Sequence, residues 1–293
     1  MKFVVLLCFV GFVVTCPVPE TRTREDIDSF RTFLENTRKD DGKTLEERMA
    51  AIPKAKEWEN SGKYQGDIIL DDETIDGMVD AYMGRNAYIW PNSKWPADTV
   101  VWEFGEGEFD PMQQAAIIRG IEEIERNTCI KFRLRNPEEQ NYVRLTGRSD
   151  GCYAHVGYWQ TRGVHTYNLA RNTPGNGCFR HTTIIHEWLH IIGLLHMQST
   201  YNRDNYLDVK WENMWPGMEH NFDKYDTNVV SNHGLPYEYD SNMHYNGYGF
   251  SINGEPTLVP YYDYLKVMGQ VQYVTSVDWL RVNRHYNCPG AWW

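Results

Sequence analysis

Three histidines and a glutamate lie close together in the segment HEWLHIIGLLH, which runs from His186 to His196. Residues four apart on an α-helix project about 40° from one another, so His186 and His190 can point at a common atom. A continuing helix would carry His196 to another face, but Gly193 can adopt the left-handed conformation that ends a helix and turns the chain. The spacing therefore predicts a helix that stops near Gly193 and three imidazoles around one metal ion.

The chemistry of residues 186–196, which we call the zinc segment, favours a catalytic metal. Neutral imidazoles are typical ligands of Zn²⁺, and three protein ligands leave a fourth position open, as catalytic sites require. Glu187 points about 100° around the helix from His186, so we expect a general base rather than a fourth ligand. Satisfied core histidines are one alternative, which the rarity of the full HExxHxxGxxH pattern disfavours. A structural zinc site is another, but it would normally include cysteine, and the zinc segment contains none.

The beginning of the chain, MKFVVLLCFVGFVVT, combines Lys2 with an apolar run that is too short to span a membrane. It predicts a signal peptide over residues 1–16, cut between positions 16 and 20, and hence a secreted, extracellular protein. Cys8 and Cys16 of the six cysteines would leave with the signal. An even number remains, which in a secreted chain predicts two disulfides, although spacing alone does not choose among three pairings. The remaining cysteines are Cys129, Cys152, Cys178 and Cys288.

Charge and composition divide the chain in two. The formal net charge of −11 argues against nucleic acid or an anionic membrane as a partner. Residues 17–85, which we call the leader, are rich in charge and predict a mostly helical or extended segment. Aromatic residues become frequent from Asn86, so we expect a packed domain over residues 86–293.

Several elements of this domain can be predicted from residue patterns. DPMQ, from Asp110, should open a core helix, with an N-cap acid, proline at the first helical position and glutamine two residues later. Thr182 or Thr183 is the expected cap of the zinc helix. VVWEF, CIKFRLR and NYVRLTG are expected to form strands, GVHTYNLA an edge strand and SVDWLRVNRHY one late helix.

The zinc segment, together with SNMHY at residues 241–245, resembles the astacin family of metzincin metallopeptidases. The similarity runs from about Tyr64 to Cys288. It implies a two-lobed α+β fold, with a twisted mixed sheet and two long helices above the cleft and a largely irregular C-terminal lobe with one late helix. In that family the methionine forms a tight turn beneath the histidines, and the tyrosine is a displaceable zinc ligand that stabilises the oxyanion. Met243 and Tyr245 would take these roles.

The resemblance also implies how the enzyme is held together and how it works. It implies disulfides Cys129–Cys288 and Cys152–Cys178. It implies one zinc ion per subunit, and hydrolysis of a polypeptide that lies extended along the edge strand near Val164–Leu169. Two other functions stay open: a binding protein that kept zinc but lost activity, which the intact Glu187 disfavours, and a hydrolase of a non-peptide substrate, which the SNMHY match disfavours.

A latent precursor is predicted from YQGDIIL, at residues 64–70. Gly66 permits close approach of the backbone, and Asp67 offers a carboxylate as the fourth zinc ligand. On spacing alone a surface turn is the better interpretation. The segment resembles, however, the FxGD element with which astacin propeptides block their zinc, and Tyr64 replaces the phenylalanine. We therefore predict activation by a trypsin-like protease that cleaves after Arg85, before Asn86.

Two positions depart from the family pattern. After the third histidine most members have a glutamate that receives the new N-terminal ammonium, whereas this chain has Met197. A thioether does not balance a buried charge, so we expect the mature N-terminus to be anchored elsewhere. In several relatives GQR places an arginine that selects an acidic residue just after the scissile bond. Here the segment is GQVQY, and Val271 predicts no acidic preference at that position.

Overall fold

The computed structural model describes residues 23–39, 42–83, 94–225, 230–262 and 268–292. The predicted signal peptide and the predicted cut between Arg85 and Asn86 lie outside the described residues. Within the described residues the fold is α+β, as the sequence predicts.

A six-stranded, mostly parallel sheet positions the zinc helix. Its strands are β1 (Ile68–Ile69), β2 (Thr99–Phe104), β3 (Lys131–Leu134), β4 (Tyr142–Thr146), β5 (Cys152–His155) and β6 (Val164–Leu169). Their order across the sheet is β1-β5-β6-β4-β2-β3. Strands β5 and β6 pair antiparallel, whereas the other neighbours in this sheet are parallel.

Six α-helices are described, and the fourth and fifth along the chain pack beside this sheet. The helices are α1 (Arg24–Asn36), α2 (Leu45–Ala51), α3 (Asp72–Tyr82), α4 (Pro111–Asn127), α5 (His181–Ile191) and α6 (Ser276–Tyr286). Asp110 caps α4 by accepting from the Gln113 amide at 2.9 Å, and Gln113 Oε1 accepts in return from the Asp110 amide. The predicted capping box is therefore confirmed.

The helix that carries the zinc segment, α5, starts earlier than predicted and stops where predicted. It begins at His181 with Arg180 as N-cap and no side-chain cap, so the prediction of a threonine cap was wrong. The helix ends at Ile191, and Gly193 follows with φ +104°. This positive φ is easily reached by glycine, and it turns the chain toward His196.

The predicted edge strand is an interior strand. Val164–Leu169 forms β6, which pairs with β5 on one side and β4 on the other. The segment GVHTYNLA was predicted to be a strand from its own residues, which contain no information on its neighbours. On that side of β6 lies β5, a strand that we did not predict, and β1 of the leader pairs with β5 and forms the edge of the sheet.

The leader contributes to the core. We call the predicted packed domain, residues 86–293, the catalytic part. Leu45 and Trp58 of the leader belong to its main hydrophobic cluster. A second cluster joins α1, α3 and β1 to the buried Val156 of the catalytic part, with Trp159 packed at its border. Its other buried members all come from the leader and are Phe30, Leu34, Tyr64, Ile68, Leu70, Ile75, Met78 and Val79.

The C-terminal lobe is largely irregular, as expected. It contains short turns of 3₁₀-helix, a small antiparallel pair of β7 (Leu207–Val209) with β8 (Leu258–Pro260), and the predicted late helix α6. Asp278 and the cap residue Thr275 form a capping box at the start of α6. No helix in the described ranges is both long enough and apolar enough to cross a membrane.

Two disulfides connect these parts of the fold. Cys129, just before β3, is bonded to Cys288, just after α6, which ties the C-terminal helix to the sheet. Cys152 at the start of β5 is bonded to Cys178, just before α5, so the edge strand of the catalytic part is tied to the zinc helix.

Candidate metal centre

Four side chains from three parts of the chain meet in the interior. Helix α5 presents His186 and His190, the turn after Gly193 presents His196, and the leader presents Asp67. All four are fully buried, and their ligand atoms lie within 4.8 Å of one another. The Nε2 atoms of His186, His190 and His196 lie 2.9, 3.5 and 3.3 Å from the nearer Asp67 oxygen. The three histidines and the leader aspartate predicted from the sequence are therefore brought together.

The other ring nitrogen of each histidine has an oxygen partner that fixes its tautomer. His186 Nδ1 lies 2.8 Å from the Asn242 carbonyl oxygen, and His190 Nδ1 lies 2.8 Å from the Leu194 carbonyl oxygen. His196 Nδ1 lies 3.0 Å from Gln65 Oε1. Because carbonyl oxygens only accept, each Nδ1 carries the hydrogen and each Nε2 presents a lone pair to the centre.

The donor set fits a zinc ion. Burial lowers the pKa of His186 to about 3 and also lowers the pKa of His196, which keeps both rings in the neutral form that binds metal. His190 Nε2 and Asp67 Oδ1 are buried and have no hydrogen-bond partner. Buried lone pairs without partners are costly, and a cation held by three imidazoles and one carboxylate would satisfy them.

A tight turn at Met243 supports the histidines from below. Met243 is 1% exposed, and its amide donates to Ser241 Oγ at 3.1 Å, while the neighbouring Asn242 carbonyl accepts from His186. Asp278 of α6 fixes this turn, because its carboxylate accepts from Ser241 Oγ at 2.5 Å and from the Asn242 amide at 2.9 Å. The predicted turn beneath the metal ligands is present. Its contact with Asp278 of α6 was not predicted from the sequence.

Glu187 lies in the same helical turn but is not part of the cluster of ligand atoms. Its side chain is fully buried, and neither carboxylate oxygen has a hydrogen-bond partner within the described structure. Burial, and then the charge of Asp67, raise its pKa well above the usual value. A carboxyl group with a raised pKa and free oxygens beside a metal centre is suited to proton transfer.

Comparison with known proteins agrees with this geometry. The family model described as Astacin, a peptidase family, matches residues 88–287. Zinc metalloproteinase nas-4 of Caenorhabditis elegans is 32% identical over 280 residues, covering 95% of this chain and 84% of that protein. The chain belongs to the astacin family.

Further similarities support the same family. Seminal metalloprotease 1 of Drosophila melanogaster is 35% identical over 236 residues, covering 78% of this chain and 88% of that protein. Among solved structures, high choriolytic enzyme 1, a hatching enzyme zinc-protease of Oryzias latipes, matches with a TM-score of 0.58 and 28% identity, covering 67% of this chain and 93% of that one. This protein is therefore an astacin-family zinc metalloendopeptidase, and the buried cluster of three histidines and Asp67 offers the donor atoms that a metal ion needs.

The tyrosine of the SNMHY segment contacts the leader. Tyr245 is fully buried, and its hydroxyl donates to the Gln65 carbonyl oxygen at 2.5 Å. Its ring centroid lies 5.0 Å from that of His196, which places it at the border of the metal centre. Burial, and then the charge of Asp67, raise the pKa of the Tyr245 hydroxyl well above its usual value, so the group remains a hydrogen-bond donor.

Gln65 is a leader residue that the sequence did not indicate. It has φ +46°, and three contacts fix it: its amide donates to Asn221 Oδ1, its Nε2 donates to Ser199 Oγ at 2.9 Å, and its Oε1 contacts His196. Glutamine carries no sequence signature of such a role. A β-carbon at the next residue, Gly66, would lie 2.9 Å from backbone atoms of Trp58 and Glu59, so the close approach predicted there requires glycine.

Trp58 covers the metal centre from the leader side. Its ring stacks on His186 with a centroid separation of 4.0 Å and on His196 with one of 5.1 Å. Beside it the buried Glu59 carboxylate accepts from the Asn246 amide, next to Tyr245. The leader therefore closes the cleft with an aromatic ring and with polar contacts as well as with Asp67.

The two departures from the family pattern lie near opposite ends of α5. Val271 is half-buried, and its carbonyl accepts from Thr182 Oγ1 at 2.8 Å, so its backbone is tied to the first turn of the zinc helix. Met197 is 2% exposed and its amide donates to the Met243 carbonyl oxygen at 2.8 Å. A small cavity of about 60 Å³ borders Met197 and Arg281. The anchoring of a mature N-terminus stays a prediction.

Proposed function

We propose that this astacin-family protein is a secreted, latent precursor whose catalytic part hydrolyses peptide bonds with one zinc ion per chain. The observation that carries the proposal is the buried Asp67 carboxylate held among three imidazoles. Asp67 lies outside residues 88–287, which match the family model, so the group that fills the fourth position belongs to the leader. A fourth protein ligand leaves no place for an activated water.

The residues of the chain divide the catalytic work. His186, His190 and His196 would hold the zinc ion, which would supply Lewis-acid chemistry: a water with a pKa of about 7 and a polarised scissile carbonyl. Glu187 accepts the water proton on a carboxylate oxygen and delivers it to the leaving amine. Tyr245 loses its contact with Gln65 when the leader departs, and its hydroxyl then donates to the developing oxyanion.

We place the substrate along β5. The leader already uses this edge: Ile68 pairs with Ala154 and Ile69 with His155, and the Ala154 amide donates to the Asp67 carbonyl oxygen at 2.9 Å. Removing the leader would expose the backbone groups of β5, and an extended peptide could replace β1 by the same kind of pairing. The Cys152–Cys178 disulfide holds this strand in place relative to α5.

We also propose how the protein is exported and activated. The apolar N-terminal run predicts a signal peptide, and two disulfides suit an oxidising compartment. A trypsin-like protease would cut the chain after Arg85, so that the catalytic part starts at Asn86 and is no longer covalently joined to the leader.

The test is a peptidase assay on the full chain after activation with trypsin. We expect the activated protein to cleave unstructured polypeptides, to lose this activity with a zinc chelator and to regain it with one equivalent of Zn²⁺. Metal analysis after dialysis should give one zinc per chain. Cleavage that is unaffected by chelation, with no zinc in the protein, would refute the proposal, as would a zinc-loaded activated protein that cleaves no peptide.

A separate prediction concerns the residue just after the scissile bond. The activated enzyme should show no preference for Asp or Glu there, because Val271 offers a carboxylate neither charge nor hydrogen bond. A Val271→Arg variant should prefer acidic residues at that position by about tenfold or more, the effect of one charge-assisted hydrogen bond. Peptide-library profiling measures both, and Gln272→Arg, at an exposed neighbouring position, is the control. A dominant acidic residue in the wild-type profile would contradict this role of Val271.

A further inference from the structure

Arg162 is a buried cation whose partners lie in the leader. It follows β5 in the loop before β6, and its side chain is 5% exposed. Its Nε donates to Asp71 Oδ2 at 2.5 Å, and its Nη2 donates to Thr74 Oγ1 at 3.1 Å. Its Nη1 is buried and has no hydrogen-bond partner in the described structure. Both side-chain oxygens that accept from Arg162 in the described residues therefore belong to the segment that activation would remove.

The catalytic part surrounds this guanidinium with groups that do not neutralise it. His155 and His165 face it, and burial, followed by the charge of Arg162, lowers the pKa of both imidazoles, to about 3 for His165. The ring of Trp159 lies 5.9 Å from the guanidinium carbon. Neutral rings and one aromatic face do not replace a carboxylate, so departure of the leader would take away the Asp71 carboxylate with which Arg162 pairs.

The position of Arg162 puts it on the path of an extended peptide. The leader runs along β5 from Asp67 at the metal centre through Ile69, which pairs with His155, to Asp71 at the start of α3. Four residues of extended chain span about 13 Å. A peptide that replaces β1 on this edge would pass the guanidinium about four residues from the bond held at the metal.

We propose that Arg162 of the activated enzyme binds an acidic side chain of the substrate, three to five residues from the scissile bond. The inference rests on the peptidase function proposed above and names a substrate class for it: polypeptides with Asp or Glu at that distance from the cut. In the precursor the Asp71 carboxylate occupies this subsite, as the Asp67 carboxylate occupies the metal centre.

The experiment uses the full chain activated with trypsin and a ten-residue peptide that is cleaved at one known bond. A single Asp is moved through every position from five before to five after that bond, and each peptide is compared with its Asn counterpart. We expect kcat/KM for Asp over Asn to reach about tenfold at one position three to five residues from the bond, as one charge-assisted pair would give. Arg162→Gln should reduce this ratio to about one, and Arg162→Lys should restore part of it.

Arg133→Gln is the matched control, because Arg133 lies on β3 at the opposite edge of the sheet, where it pairs with Glu139. It should keep the wild-type ratio. An unchanged ratio in Arg162→Gln, or no acid preference at any of these positions in the wild type, would overturn the proposal and leave the Arg162–Asp71 pair as a contact that only holds the leader. A wild-type enzyme that cleaves none of the peptides would refute the peptidase function itself and this subsite with it.

Discussion

Glu187→Gln in the activated enzyme is expected to lower kcat/KM by about 10³- to 10⁴-fold, the upper range of general acid–base effects. Glutamine keeps the size of the side chain but cannot accept a proton, so the water is no longer deprotonated. Zinc should remain bound, because Glu187 does not contact the ring nitrogens of the three histidines. Each Nε2 faces the metal centre, and each Nδ1 has an oxygen partner. The measurement is kcat/KM on one peptide together with zinc content per chain.

Glu123→Gln is a suitable control for this experiment. Glu123 lies on α4 and contacts His181 at the start of α5, so it is a carboxylate beside the zinc helix but away from the metal. We expect less than a twofold change for it. If Glu187→Gln keeps full zinc and more than a tenth of the wild-type activity, another group must be the base.

The second large effect is the latency of the precursor. With Arg85→Gln to prevent the activating cut, the full chain should be at least about 100-fold less active than the cleaved enzyme, since a carboxylate fills the position of the catalytic water. Asp67→Ala in the same background should raise activity about tenfold or more, yet leave it well below that of cleaved enzyme. The remaining block comes from Trp58, Gln65 and β1, which still occupy the cleft. Peptide hydrolysis by the purified proteins gives these rates.

Asp76→Asn controls for loss of a leader carboxylate. Asp76 lies on α3 and pairs with Arg31 at 2.7 Å on an exposed surface, where an ion pair contributes little to stability. The variant should remain latent. The proposal of latency fails if uncleaved wild-type protein hydrolyses peptides as fast as protein that starts at Asn86.

The parts of the fold that follow local rules could be predicted from the sequence. The capping box at Asp110, the late helix α6 and the turn at Gly193 depend on a few adjacent residues, and each is present. The order of the strands depends on long-range pairing. The segment of β6 was therefore predicted correctly as a strand but incorrectly as an edge strand. Strand β5, with four buried residues, has no alternation to detect.

The same distinction holds for the metal centre. The three histidines and Glu187 lie within one short segment, and Asp67 was found through a resemblance to a known element. Trp58 and Gln65 were not found, because tryptophan and glutamine have many roles and their partners lie far away in the chain. Asp278, which anchors the turn at Met243, was missed for the same reason.

Non-covalent contacts, as well as the covalent chain, hold the leader on the catalytic part. Its apolar residues complete both hydrophobic clusters, and Trp58 and Tyr64 are among the most deeply buried side chains of the described structure. A cut after Arg85 breaks one covalent bond and leaves these contacts in place. The severed leader is then a separate inhibitor at equilibrium with its own enzyme. Activity should therefore rise with dilution and with degradation of the leader rather than with the cut alone. Concentrated enzyme should stay inhibited longer than dilute enzyme.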